Sequence, residues 1–284
     1  MATIWLDGEW HDRSTAKISV FDHGLLYGDG VFEGIRVYNG KVFKLAEHVE
    51  RLYDSAKAIL LEIPMPPAKM SDIIEEAVRR SGLSEAYIRP IITRGIGDLG
   101  IDPRKCPTPT VMVIVDSIKI WPAERYEQGL VAVTASTPIT HRESLSPRVK
   151  SLNYLAHILA KMEGNLAGAD EIIMLDATGH VAEGSGQNLF VAKGGMLRTP
   201  PPYAGILLGV TRDVVIDLAR QAGVAVQETM LNRYDVYTAD EVFLTGTASE
   251  VVPVRQLDGR VIGGGEPGPI TRDLMTRFKA YVRS

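Results

Sequence analysis

The sequence predicts an α+β protein, and the first evidence is a pair of turn signals that join short β-rich runs. Asp7-Gly8 divides "TIWLDGEW", and Asn39-Gly40 divides "VFEGIRVYNGKVFK". Such dipeptides favour the tight turns of hairpins, which connect antiparallel strands. The second observation is that helical periodicity follows the β-rich runs, so that helices and strands alternate along the chain. We therefore expect two α+β domains with largely antiparallel or mixed sheets.

The domain boundary is predicted from a stretch that has no sustained periodicity. "KIWPAERYEQG" contains a proline, mixes charged with aromatic residues and ends in glycine. Stretches of this kind commonly connect domains. We place the first domain at residues 1–116, the linker at 117–129 and the second domain at 130–284.

In the first domain, two amphipathic segments follow the hairpins. Leu45, Val49 and Leu52 recur at helical spacing in "LAEHVERLYDSAKAIL". A second helix, at about 71–81, ends at Gly82, a residue type that commonly terminates helices. Two β-rich runs then predict neighbouring strands, namely "AYIRPIITR" and "TVMVIVDSI".

In the second domain, strands again alternate with helices. A helix at about 151–163 would carry Leu155, Ile158 and Met162 on one face. Another helix opens at about Val210, and the last begins near Pro269, a residue type suited to the first helical position. The runs that predict strands in this half are "LVAVTAS", "EIIML", "NLFVA", "VAVQETM" and "EVFLTGTA".

Composition and charge narrow the classes of function. Charged residues make up 23% of the chain and the net charge is -4, so we expect no nucleic-acid partner. Apolar runs are too short for a membrane span, and the start lacks the apolar core of a secretory signal, so we expect a cytoplasmic protein. Cys106 is the only cysteine, which excludes a disulfide within the chain. The six histidines lack metal-ligand spacing, so we expect no metal site.

The segment "GIGDLG" at 95–100 matches the dinucleotide-binding pattern G-x-G-x-x-G but lacks its context. That pattern binds a pyrophosphate only where a helix begins at the glycines. Here "IDPRKCPTP" follows, and its prolines oppose a helix. We expect a glycine-rich loop between two strands, of a kind suited to cover a substrate.

Three segments are suited to bind a phosphate group. Arg51 lies on the first long predicted helix. Gly209 stands just before a helix, so the amides of Val210 and Thr211 would be available at its positive end. Thr247 in "TGTAS" follows a predicted strand and offers a hydroxyl. For each residue alone, an ordinary structural role is the better explanation.

Lys150 is the candidate catalytic residue, and Glu183 and Tyr154 are candidates for binding a cofactor beside it. Lys150 stands in the stretch "PRVKSLNYL", and a lysine attacks a carbonyl carbon only as the free amine, which apolar surroundings or nearby cations favour. Glu183 stands in "VAEGSGQNLF" and is a candidate partner for a pyridinium nitrogen. Tyr154 follows Lys150 by four residues, which on a helix places both on one face. A snorkelling lysine, a turn carboxylate and a core tyrosine are the alternatives.

Taken together, these segments resemble the class IV family of pyridoxal-phosphate enzymes, which share fold type IV. Within the family, the resemblance favours the branched-chain amino-acid aminotransferases. It covers nearly the whole chain, and its motifs occur in the family's order. They are "DHGLLYGDGVFEGIRVY", "HVERLYDSAK", "YIRPIITRG", "KSLNYL", "EGSGQNLF", "GVTRD" and "GTASEVVPV".

The resemblance implies how the cofactor would be bound, between the two domains. Pyridoxal 5'-phosphate would form an aldimine with Lys150, which would then move the proton of the substrate Cα. Glu183 would pair with the pyridinium nitrogen, and Tyr154 would contact the phenolic oxygen. The phosphate would be held by Arg51, the amides of Val210 and Thr211, and Thr247.

The resemblance also implies a substrate pocket and partners. In related aminotransferases, residues matching Phe32, Arg36, Tyr87 and Arg89 line this pocket, and a turn resembling Thr247-Ala248 receives the substrate carboxylate. The expected reaction transfers the amino group of L-leucine, L-isoleucine or L-valine to 2-oxoglutarate. The partners would be small amino and oxo acids. The family is at least dimeric, with a loop of one subunit reaching the neighbouring site, so we expect a homo-oligomer.

Other activities of the same fold remain as alternatives. D-amino-acid aminotransferases carry an Arg-x-His clamp shortly after a "TRG" like residues 93–95, whereas "GIGDLGID" contains neither residue type. An amine transaminase would differ by a few pocket residues, and an aminodeoxychorismate lyase would release pyruvate without amino transfer. Outside the family, the alternatives are a nicotinamide oxidoreductase and a non-catalytic protein that binds a phosphate ligand.

Overall fold

A computed structural model describes residues 2–118 and 121–284, and the chain divides into two units. The first unit holds the described residues up to Ile118 together with Val149–Asn153. The second unit holds the described residues between Ile118 and Val149 together with Tyr154–Ser284. The break falls inside the predicted linker, of which Lys119 and Ile120 lie outside the described residues. Most of the remaining linker residues form the helix Ala123–Gln128, which belongs to the second unit.

The first unit contains an antiparallel sheet and two long helices. Its order is β2-β1-β7-β6-β4-β5, with β3 paired to β6. Both predicted hairpins form, and Asn39 and Gly40 take the positive φ angles, +49° and +77°, that a tight hairpin turn requires. The elements are β1 (Thr3–Leu6), β2 (Glu9–His11), α1 (His23–Tyr27), β3 (Gly30–Phe32), β4 (Ile35–Tyr38), β5 (Lys41–Val42), α2 (Leu45–Ala58), α3 (Pro67–Ser81), β6 (Ala86–Thr93) and β7 (Thr110–Asp116).

The core of the first unit forms where α2 and α3 pack against the sheet. Val49 and Leu52 of α2 and Ile74 of α3 are buried among the branched side chains of β4, β6 and β7. Burying such side chains is the main favourable contribution to folding. The helix α3 begins at Pro67, earlier than predicted, because proline is well suited to the first turn.

The second unit contains a mixed sheet, as predicted. β8 runs parallel to β9 and β15, while β14 pairs antiparallel with β11 and β15. β10 pairs with both β9 and β11, which closes six strands into a ring that the sequence did not predict. The elements are α4 (Ala123–Gln128), β8 (Leu130–Thr134), α5 (Leu155–Leu166), β9 (Glu171–Leu175), β10 (Val181–Gly184), β11 (Asn188–Lys193), β12 (Met196–Thr199), α6 (Val210–Gln221), β13 (Val226–Glu228), α7 (Arg233–Tyr237), β14 (Glu241–Gly246), β15 (Glu250–Leu257), β16 (Arg260–Val261) and α8 (Pro269–Tyr281).

The helix α5 differs from its prediction in where it begins and in which face it buries. It begins at Leu155 rather than at 151. Its buried face consists of the small residues Ala160 and Gly164, and a Cβ added at Gly164 would lie 2.5 Å from the side chain of Ile172. Small residues allow the helix to approach β9 closely. The larger apolar side chains of α5 are therefore turned outward and are exposed.

Two further predictions can be compared with the structure, which also contains elements that were not predicted. The segment "GIGDLG" is a loop between β6 and β7, and no helix begins at its glycines, which confirms that the dinucleotide-binding pattern is accidental. β10 and α7 were not predicted, and Asn232 caps α7 in a capping box with Asp235. Among the described residues, no helix is long and apolar enough to cross a membrane.

Asp258 links three elements of the second unit, and its loss should lower stability in a pH-dependent way. Its carboxylate accepts hydrogen bonds from the backbone N–H and hydroxyl of Thr134, both at 2.6 Å, and from the Tyr237 hydroxyl at 2.7 Å. Burial raises the pKa of Asp258, but these hydrogen bonds outweigh it and the pKa is lowered overall. Since the folded pKa lies below the unfolded value of about 3.9, the contribution is fully present above that pH and is lost as the pH falls through the folded pKa.

We therefore expect Asp258→Asn to lower the free energy of unfolding by about 1 kcal/mol at pH 7, allowing for solvent screening. The deficit should shrink in acid, because the wild-type carboxyl is then also neutral. Asparagine tolerates the positive φ of +50° at this turn, so the substitution tests the charge rather than the backbone. Urea unfolding at pH 7 and pH 3 measures the effect, and a deficit that is equal at both pH values would contradict the charge argument.

Candidate active site

Lys150 lies on an extended segment of the first unit and not at the start of a helix. Its carbonyl accepts a hydrogen bond from the backbone N–H of Phe32 at 2.9 Å, and its own N–H donates to Ser55 Oγ at 3.2 Å. The N–H of Leu152 donates to the carbonyl of Gly30 at 2.9 Å. The backbone around Lys150 thus pairs with β3 as a strand would, which is incompatible with helical hydrogen bonds. The prediction that Lys150 and Tyr154 share one face of a helix is therefore wrong.

The side chain of Lys150 lies beside the ring of Phe32. Lys150 Nζ is 4.8 Å from the centre of the Phe32 ring, and the guanidinium carbon of Arg89 is 4.6 Å from the same ring centre. Phe32 is buried. The structure thus brings together a primary amine, an apolar ring and a second cation, all within the first unit.

The remaining predicted pocket residues of the first unit lie on the adjacent strands β4 and β6. Arg36 pairs with Tyr87 across these strands. The Tyr87 hydroxyl accepts a hydrogen bond from Arg89 Nη2 at 3.0 Å, and the buried Nε of Arg89 has no hydrogen-bond partner among the described residues. A Cβ at Gly34 would lie 1.9 Å from the Tyr87 hydroxyl, so only glycine leaves room for this tyrosine. The structure therefore places Phe32, Arg36, Tyr87 and Arg89 in one neighbourhood.

Arg51 is held by Glu33, which in turn contacts His48, and neither of these two residues was predicted as part of the site. Its Nε and Nη2 donate to the two carboxylate oxygens of Glu33 at 2.6 and 2.8 Å. His48 Nδ1 lies 2.8 Å from Glu33 Oε2, and both Glu33 and His48 are completely buried. A signal for this cluster was present, because His48 and Arg51 are three residues apart on one helix and therefore neighbours on its surface.

Glu183 lies in the second unit on β10, so it is not the turn carboxylate that was considered as an alternative. Its register partner on β11 is Asn188. Glu183 is 5% exposed, and its Oε2 accepts hydrogen bonds from Asn188 Nδ2 and from the N–H of Leu207, both at 3.1 Å. A buried carboxylate held in this way by fixed donors has a defined orientation.

Tyr154 is connected to the carboxylate of Glu183 through His157, a residue that was not predicted as part of the site. Tyr154 occupies the cap position of α5, and its ring stacks on that of His157 with centres 4.6 Å apart. His157 Nε2 is 3.8 Å from Glu183 Oε1. The buried Nδ1 of His157 has no hydrogen-bond partner among the described residues. The two rings can stack because Tyr154 and His157 are three positions apart at the start of α5 and so share a face of the helix.

The predicted phosphate-binding helix end is present in the second unit. Val210 and Thr211 begin α6 and are buried, and no side chain caps this helix end. A Cβ at Gly209 would lie 2.2 Å from Asn188 Oδ1, so glycine leaves room for the Asn188 side chain beside the start of α6. Uncapped amides at the positive end of a helix are a common binding site for phosphate groups.

Thr247 and Ala248 lie in the turn between β14 and β15. The strand register places Thr245 opposite Asn188, so this turn lies beyond the end of β14 near residues 186–188. Asn188 therefore contacts two predicted features of the second unit, the carboxylate of Glu183 and the start of α6, and pairs with Thr245 two residues before Thr247. Its sequence context alone gave no reason to single it out, because its contacts come from other elements.

The residues of the two units suit the chemistry of pyridoxal 5'-phosphate. The first unit supplies a primary amine for an aldehyde and a guanidinium for a phosphate. The second unit contains a buried carboxylate, which would suit a ring nitrogen, and the uncapped start of α6, which would suit a phosphate. Among the described residues, no three histidine, cysteine, aspartate or glutamate side chains are grouped so that they could hold a metal ion.

Comparison with known proteins identifies the family to which these features belong. Residues 30–257 match the family model for amino-transferase class IV. A protein of Methanocaldococcus jannaschii, named a putative branched-chain-amino-acid aminotransferase, is 52% identical over 276 residues, covering 97% of this chain and 95% of its own length.

Two solved structures extend the comparison to the fold. The Escherichia coli branched-chain amino acid aminotransferase is 36% identical with a TM-score of 0.96, covering 99% of this chain and 94% of its own. The T.th. branched-chain amino acid aminotransferase complexed with N-(5'-phosphopyridoxyl)-L-glutamate is 40% identical with a TM-score of 0.93, covering 99% and 93%. The predicted α+β fold of type IV is thereby confirmed.

Proposed function

Because the chain belongs to the class IV aminotransferases, we propose that it transfers amino groups between branched-chain L-amino acids and 2-oxoglutarate, with pyridoxal 5'-phosphate as cofactor. The observation that carries this proposal is the cluster of Lys150, Phe32 and Arg89. The Phe32 ring suits a branched aliphatic side chain, and the guanidinium suits the second carboxylate of 2-oxoglutarate or L-glutamate. The amine is thus close to groups that can receive each of the two substrates.

The named relatives support the same substrates and cofactor. Two of the proteins described above are branched-chain amino acid aminotransferases. In one of them, the bound molecule joins a pyridoxyl phosphate to L-glutamate. A site that binds such a molecule accepts both the cofactor and the acidic substrate, and we extend this pairing to the present chain.

In the proposed mechanism, Lys150 would hold the cofactor through Nζ and, as the free amine, would remove the proton from the substrate Cα. The cofactor supplies an electron sink for the charge that develops at Cα. Glu183, oriented by Asn188 and the N–H of Leu207, would hold a proton on the ring nitrogen. With the second oxo acid as substrate, Lys150 would return a proton to Cα.

The other predicted residues bind and orient. Tyr154 would hydrogen-bond the phenolic oxygen of the cofactor. Its phosphate would be held by Arg51, the amides of Val210 and Thr211, and Thr247. The Thr247-Ala248 turn would receive the carboxylate attached to the substrate Cα. These interactions hold the Cα–H bond in reach of Lys150 and so reduce the entropic cost of reaction.

A donor panel tests this function. Purified protein with added cofactor is given 2-oxoglutarate and, separately, L-leucine, L-isoleucine, L-valine, D-alanine or a chiral amine, and L-glutamate formation is measured. We expect the three branched L-amino acids to be the best donors. Strong activity on D-alanine without activity on L-leucine would overturn the proposal. Release of pyruvate from aminodeoxychorismate would instead identify a lyase.

We further propose that the protein is a homo-oligomer and that α5 forms part of the contact between copies. Five large apolar side chains on this helix are at least 45% exposed, and they recur at helical spacing. A two-fold contact places the same patch of both copies against each other, which suits an uncharged stripe. The residues are Leu155, Ile158, Leu159, Met162 and Leu166.

Ile158→Lys should therefore weaken the oligomer. A lysine at the centre of the stripe would bring like charges together across a two-fold contact and would bury them. Analytical ultracentrifugation should show a shift toward the mass of a single chain. Tyr234→Lys, at an exposed aromatic residue on α7, is the control and should leave the mass unchanged. A wild-type protein that is monomeric at micromolar concentration would contradict the proposal.

A further inference from the structure

Glu33, His48 and Arg51 form a largely buried cluster, and the proposed mechanism gives a role to Arg51 alone. Glu33 lies between β3 and β4, and His48 and Arg51 lie on α2. Glu33 receives Nε and Nη2 of Arg51 at 2.6 and 2.8 Å, and His48 Nδ1 at 2.8 Å. Three ionisable groups buried together in a protein are costly unless they are paired, so the arrangement needs an explanation.

The charges in this cluster follow from its contacts. Burial by itself raises the pKa of Glu33, but the charge of Arg51 and the hydrogen bonds from His48 and Arg51 outweigh it, so that the pKa is well below the usual range. Burial lowers the pKa of His48 more than Glu33 raises it. An ionised Glu33 only accepts hydrogen bonds, so the Nδ1 of a neutral His48 must carry the proton. Glu33 is thus held from two sides, by Arg51 and by His48.

The contact with Glu33 determines the orientation of the Arg51 guanidinium. A guanidinium has five N–H groups in one plane, and Glu33 takes one from Nε and one from Nη2. This two-point contact defines the plane of the guanidinium and therefore the directions of its other N–H groups. An arginine side chain that is oriented before binding loses less conformational entropy when it binds an anion.

We propose that Glu33 is a positioning residue for the phosphate of the cofactor, acting through Arg51, with His48 holding Glu33 in place. The inference rests on the proposed function, because Arg51 is assigned there to the phosphate. Coulomb attraction alone would argue against a carboxylate at this point, since Glu33 offsets the charge of Arg51. The benefit of Glu33 must therefore come from the orientation that it gives to the Arg51 guanidinium. Its charge and this orientation change the affinity for a phosphate in opposite directions, which makes the proposal testable.

The test compares two ligands that differ only in the phosphate. Wild-type protein and Glu33→Gln are titrated with pyridoxal 5'-phosphate and with pyridoxal, and binding is followed by absorbance. Glutamine has nearly the size of glutamate but cannot accept both N–H groups of Arg51. We expect the affinity for pyridoxal 5'-phosphate to fall about tenfold, the loss expected for one charge-assisted contact. The affinity for pyridoxal should change less than twofold.

Three outcomes would overturn the inference. Tighter binding of pyridoxal 5'-phosphate by Glu33→Gln would show that the carboxylate acts only by opposing charge. Equal losses for both ligands would show a general structural role. An effect of Glu33→Gln that persists at full size when Arg51 is also changed to glutamine would show that Glu33 does not act through Arg51.

Two further variants make the test robust. Glu76→Gln removes a similar contact at a partly exposed position of α3, where Glu76 accepts from Arg80 Nε at 2.6 Å, and should leave both affinities unchanged. If Glu33→Gln does not fold, Glu33→Asp retains the charge but shortens the reach, and it should also reduce binding of the phosphorylated ligand selectively. A wild-type protein that binds neither ligand would refute the proposed function itself, whereas wild-type binding with equal losses refutes only the role of Glu33.

Discussion

Replacing Lys150 by alanine should abolish amino transfer and the covalent attachment of the cofactor. Alanine retains the backbone contacts with Phe32 and Ser55 but removes the only group proposed to attach the aldehyde and to carry the Cα proton. Loss of such a group lowers kcat by about 10³-fold or more. After reduction with borohydride, intact mass spectrometry should show the added cofactor on the wild-type protein and not on the variant.

The control for this substitution is Lys193→Ala, at an exposed lysine where β11 ends. It should retain both wild-type activity and the covalent cofactor. If Lys150→Ala transferred amino groups at the wild-type rate, the assignment of Lys150 would be wrong. A borohydride-stable cofactor on the variant would also contradict it, because another amine would then be the attachment point.

Replacing Glu183 by glutamine should lower kcat by about 100-fold with a much smaller change in KM. The amide has nearly the same shape and can still accept from Asn188 or Leu207, so the surrounding structure has little reason to move. It lacks the negative charge that would hold a proton on the ring nitrogen. Because that charge matters most as the Cα proton leaves, its loss should affect the transition state more than substrate binding.

Glu241→Gln is the matched control for this substitution. Glu241 is also a buried carboxylate of the second unit, and it accepts hydrogen bonds from the N–H groups of Ile270 and Thr271 at the start of α8. Its loss should lower the melting temperature while leaving kcat per folded molecule unchanged. A Glu183→Gln enzyme with wild-type kcat, or a Glu241→Gln enzyme with an equal loss of kcat, would contradict the role assigned to Glu183.

Most of the regular elements could be predicted from local signals. The turns at Asp7-Gly8 and Asn39-Gly40, the end of α3 at Gly82 and the start of α8 at Pro269 all depend on residues that restrict the backbone by themselves. The starts of α5 and β10 could not be predicted in this way. The residues before α5 pair with β3, and Val181–Gly184 pairs with β9 and β11, so distant strands decide both.

The candidate site shows the same division. Lys150, Glu183 and Arg51 were found because motifs along the chain resemble one family, and membership of that family is now shown by the comparisons. Glu33, His157 and Asn188 were missed, because each matters through a contact with a residue 5 to 26 positions away in the chain rather than through its own neighbourhood. The cytoplasmic location stays a prediction, and so do the roles of individual residues, which the experiments above test.

The sequence by itself determined the α+β class, the family and the position of Lys150 along the chain. It also determined that no dinucleotide-binding helix begins at the glycines of residues 95–100. These properties depend on residue types that act locally, or on motifs that a family retains in order. Only the tertiary structure decided that the segment of Lys150 is extended, that small residues face inward on α5, and that Glu33 orients Arg51. Each of these depends on backbone pairing or close packing between segments far apart in the chain. A local sequence pattern does not show which distant segments come into contact.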